Sequence, residues 1–74
     1  MDDRLDFLVY CIESYKNANG LKGRETMELF KKYRVIDYIN ASYEALHTTG
    51  RKYIVDDLNI YINARKQMDI GITH

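Results

Sequence analysis

The chain has 74 residues, 11 basic and 11 acidic, with no proline and a single cysteine. A unit of this size buries only ~60% of its unfolded surface. One thiol excludes an internal disulfide, and a net charge of zero removes the cation excess on which non-specific nucleic-acid binding depends. No apolar run approaches the ~18 residues of a transmembrane helix. The N-terminus is acidic ahead of its apolar run, unlike a signal peptide. A lone thiol suits a reducing compartment, so the cytoplasm is the expected location.

The four glycines, at 20, 23, 50 and 71, punctuate the chain. The expected fold is all-α, a compact array of four short helices in one domain spanning 1–74. The first helix covers 3–17. Asp2 or Asp3 caps it, and Asp6 favours the positive end of its dipole. Leu5, Leu8, Val9, Ile12 and Tyr15 recur at helical spacing. Phe7, Tyr10 and Cys11 widen that apolar arc, which marks a helix that is central or shared with a partner. Gly20 is the expected left-handed residue after its end, and Leu21 folds back onto the core.

Gly23 opens a second helix over 24–33, with Glu25 and Glu28 early and Lys31 and Lys32 late, as the helix dipole favours. Met27, Phe30 and Tyr33 give it an apolar face, flanked by Leu29. Arg34 marks a break. The third helix, 35–48, carries Ile36, Ile39, Tyr43 and Leu46 on one face. Its small residues Ala41, Ser42 and Ala45 would admit a close neighbouring helix. The connector "TTG" follows, then a fourth helix over 51–67 with Ile54, Leu58, Tyr61 and Ile62 inward and Val55 beside them. From about residue 68 the tail is expected to fray, with Ile70 and Ile72 packing locally.

The segment "ALHTTGRKYIVDDL", 45–58, holds most of the residues from which a catalytic site could be built. A threonine nucleophile needs an adjacent base, and His47 is near. The plainer reading is a connector: His47 meets free carbonyls at a helix end, Thr48 or Thr49 caps the next helix, and Gly50 supplies unusual backbone angles. Asp56 and Asp57 point ~100° apart on a helix and so do not face one another. Lys52 and Asp56 form an i,i+4 pair instead. His47 and His74 are too few and too far apart for a zinc site, and no cofactor is expected. Cys11, inside the most apolar helix with no cation near in sequence, reads as a small buried hydrophobe.

Seven tyrosines are more than a core this small can bury deeply, and tyrosine is enriched at protein interfaces. Phe7, Tyr10, Tyr38, His47, Arg51, Lys52 and Tyr53 are therefore the candidate partner-contact residues, with no catalytic or metal-binding set among them. A non-enzymatic module that binds a protein partner or a second copy of itself is the leading expectation. The alternative is a small nucleic-acid-binding regulator using a basic patch of Lys31, Lys32 and Arg34 at the end of the second helix.

Three blocks carry a family resemblance: "FLVYCIESYK" (7–16), "LFKKYRVIDYI" (29–39) and "YEALHTTGRKYIVDDLNIYI" (43–62). They resemble a family of small bacterial proteins that form a domain of unknown function. The "LHTTG" and "YIVDDL" strings are the most specific part. Members of that family are often encoded beside proteins similar to ADP-ribosyltransferases. The resemblance thus implies an accessory or antitoxin-like partner protein, and it brings no catalytic residues with it.

Overall fold

The computed structural model of the chain describes residues 3–72, with side chains described to residue 68. Five helices follow one another: α1 (Asp3–Ala18), α2 (Gly23–Lys32), α3 (Val35–Ala41), α4 (Tyr43–Leu46) and α5 (Arg51–Ile72). No strand occurs among the described residues, so the all-α expectation holds. The molecule measures 44 × 25 × 21 Å, with a radius of gyration of 12.4 Å. Asp2, one of the two expected caps, lies outside the described residues, as do the side chains of Ile70 and Ile72.

The stops are built as the sequence implies. Gly20 is left-handed at φ 63°. Its N–H reaches the carbonyl of Asn17 at 3.4 Å, and that of Leu21 reaches Lys16 at 3.0 Å. This paired closure satisfies two orphan carbonyls of α1. It also turns Leu21 against the core. At the start of α2, the Lys22 N–H donates to Glu25 Oε1 at 2.9 Å, which ties down the first turn.

Arg34 adopts φ 55°, ψ 41°, a left-handed conformation that costs a side-chain-bearing residue ~1–2 kcal/mol. With Tyr33 it forms the two-residue link between α2 and α3. Its guanidinium bonds Asp37 through both Nε and Nη2 at 3.0 Å, which helps hold the bend.

Five expectations need correction. The third helix breaks at Ser42 into α3 and α4, where the Ser42 N–H donates to the Tyr38 carbonyl at 2.9 Å as α3 ends. Ala41 and Ala45 end up exposed, with no helix seated on them. Gly50 does not have a positive φ. Thr49 does not cap α5 either: its hydroxyl donates backwards to the Leu46 carbonyl at 2.7 Å and closes α4. The last helix is longer than expected, reaching Ile72 instead of ending at 67.

The core is Cys11 and Tyr15 from α1, Phe30 from α2, Tyr33, Val35 and Ile39, and Ile54, Leu58 and Ile62 from α5. The stripe expected on α5 is the one buried. That on α1 packs on the core at Leu8, Ile12 and Tyr15 but not at Leu5 and Val9. Leu5 and Val9 stay 57% and 52% exposed, while Cys11, Ser14 and Tyr15 face inward. Thr26 is buried too, its hydroxyl donating to the Lys22 carbonyl at 3.0 Å. Burial pushes the Cys11 thiol up to about 11. It is a packing group with little thiolate at neutral pH, as the sequence suggested.

Candidate functional site

The N-terminal half of α1, the short α4 and the start of α5 meet in one cluster of aromatic and cationic side chains. The ring of Phe7 meets that of Tyr43 edge-on at 5.5 Å and stacks with Tyr10 at 6.4 Å. Tyr43 stacks on His47 at 4.5 Å with only 3° between the planes. The Arg4 guanidinium lies 4.7 Å from the Tyr43 ring centre, and that of Arg51 lies 5.4 Å from Tyr10. Arg4 also donates to the Asn40 carbonyl at 3.1 Å, which ties α1 to α3. Six side chains thus form a continuous ladder. Phe7 and Tyr43 are half-buried, and Arg4, Tyr10, His47 and Arg51 are exposed.

Local sequence explains part of this arrangement. Tyr43 and His47 are i,i+4 on one helical turn, the spacing at which side chains meet. His47 Nδ1 lies 2.8 Å from the Tyr43 carbonyl. A carbonyl oxygen only accepts, so Nδ1 carries the proton. The expected role of His47 at a helix end is the observed one. Each aromatic contact is worth ~0.5–1.5 kcal/mol beyond burial, and each exposed cation–ring contact about 0.5–1 kcal/mol. Their larger consequence is to fix the orientation of the rings at this surface.

Arg51 belongs to a second feature as well. With Ala18, Lys52, Val55, Asp56 and Asn59 it lines an open groove of about 560 Å³ between the end of α1 and α5. Lys52 and Asp56 pair across a helical turn at 3.0 Å, as expected, and both are well exposed.

A different aromatic pair joins α3 to α5. Tyr38 and Tyr61 stack at 4.0 Å with 16° between planes. The Tyr38 hydroxyl donates to Asp57 Oδ2 at 2.6 Å, and the Tyr61 hydroxyl donates to the Tyr33 carbonyl at 3.2 Å. Desolvation, then the hydrogen bond and the negative charge of Asp57, push Tyr38 up to about 12. The two adjacent aspartates therefore diverge, Asp56 to Lys52 and Asp57 to Tyr38.

Of the seven residues expected to contact a partner, Phe7, Tyr10, His47 and Arg51 converge on the ladder. Lys52 stands at the groove. Tyr38 is engaged inside the molecule, and Tyr53 is exposed on the outer side of α5. His47, Asp56 and Asp57 engage three different neighbours. Among the described residues no three His, Cys, Asp or Glu side chains gather as a metal site requires. No described helix is long and apolar enough to cross a membrane. Sequence reasoning missed Arg4 and placed Tyr43 on the core face. The i,i+4 spacing of Tyr43 and His47 was readable, but the crossing of Arg4 onto Tyr43 was not.

These features define a small all-α domain with a preformed aromatic and cationic surface at the N-terminal end of α1. The chain belongs to the DUF3791 family, a family of proteins of unknown function, whose model matches residues 6–65. That span includes every ladder residue except Arg4. No curated protein and no solved structure matches the chain.

Proposed function

We propose that this protein is a small helical interaction module that docks a protein partner on the ladder of Arg4, Phe7, Tyr10, Tyr43, His47 and Arg51. The observation that carries this reading is the continuity of the ladder across three helices, with its outer members exposed. Tyrosine and arginine dominate binding energy at interfaces. Rings already held by stacking lose little entropy on binding. Arginine stacked on an aromatic face, as Arg51 is on Tyr10, is a recurrent feature of protein interfaces.

The resemblance to small bacterial proteins encoded beside ADP-ribosyltransferase-like proteins supplies the specific candidate. The partner is that neighbour, and the module assists or neutralises it by covering its surface. Nucleic-acid binding through Lys31, Lys32 and Arg34 has less support. Arg34 is bonded to Asp37, and Lys32 lies over the Tyr33 ring at 5.4 Å.

The test is co-expression of the tagged protein with the product of the adjacent gene, followed by co-purification. Retention by the wild type with loss in Tyr10→Ala/Arg51→Glu is expected. A neighbour retained equally by both forms, or by neither, contradicts the reading.

A further inference from the structure

We draw no further inference here: the strongest candidate, the outward apolar patch of Tyr53, Ile60 and Met68 on α5, is an exposed helix face, and nothing in the structure shows what covers it.

Discussion

The molecule holds two aromatic clusters built from the same kinds of residue and used in opposite ways. Around Tyr38 and Tyr61 the polar groups point inward: one hydroxyl on Asp57, the other on the Tyr33 carbonyl. Around Phe7, Tyr10 and Tyr43 the rings stack on one another, and the charged groups Arg4 and Arg51 lie over them at the surface. The first cluster joins α3 to α5 and is architecture. The second packs on the core through Phe7 and presents Tyr10 and its cations at the surface. A count of tyrosines cannot separate these roles. What separates them is where each hydroxyl finds its partner.

The largest effect that should reveal this division is Tyr61→Ala. It removes the stack on Tyr38, the bond to the Tyr33 carbonyl and packing against the core. A loss of about 2–4 kcal/mol is expected from urea unfolding. Next is Tyr38→Phe, which leaves a part-buried Asp57 carboxylate without its donor and should cost about 1–2 kcal/mol. In a double-mutant cycle with Asp57→Ala the two changes should be strongly non-additive.

The pH dependence sharpens the same point. Folding raises Tyr38 from its ordinary 10.0 to about 12, favouring the neutral phenol. Its contribution to stability is therefore complete below pH 10 and is lost as pH rises from 10 to 12. Cys11, raised from 9.0 to about 11 by burial, adds a loss between 9 and 11, and burial raises Tyr15 as well. The urea midpoint should fall steeply across this range, and less steeply in Tyr38→Phe. Smallest of all is Tyr10→Ala, at the exposed edge of the ladder. It should change stability by about 0.5–1 kcal/mol.

Much of the architecture could be read from the chain because it depends on short-range rules. Gly20 stops α1 with a left-handed residue, Arg34 breaks the chain between two helices, and Ile54, Leu58 and Ile62 repeat at the helical period. The break at Ser42 was missed because a serine inside an apolar pattern is a weak signal until its backbone bonds are known. On α1, Leu8, Ile12 and Tyr15 of the expected stripe pack on the core, whereas Leu5 and Val9 match the helical spacing equally well and face outward. Only tertiary packing decides between the two. The candidate site divides in the same way. Tyr43 and His47 are neighbours by spacing, whereas Arg4 over Tyr43, Arg51 over Tyr10 and Tyr38 on Asp57 link residues far apart in the chain. Asp57 illustrates the limit: periodicity separates it from Asp56 but does not reveal Tyr38 as its partner.

The central claim is that the open cluster serves a partner while the closed one serves the fold. Its most direct measurement is co-purification of the neighbouring gene product with the wild type and with Tyr10→Ala/Arg51→Glu, each variant's thermal melt being recorded alongside. The account predicts capture by the wild type, loss of capture by the double variant, and melting temperatures within a few degrees of each other. Equal capture by both forms, or loss of capture only together with unfolding, would contradict it.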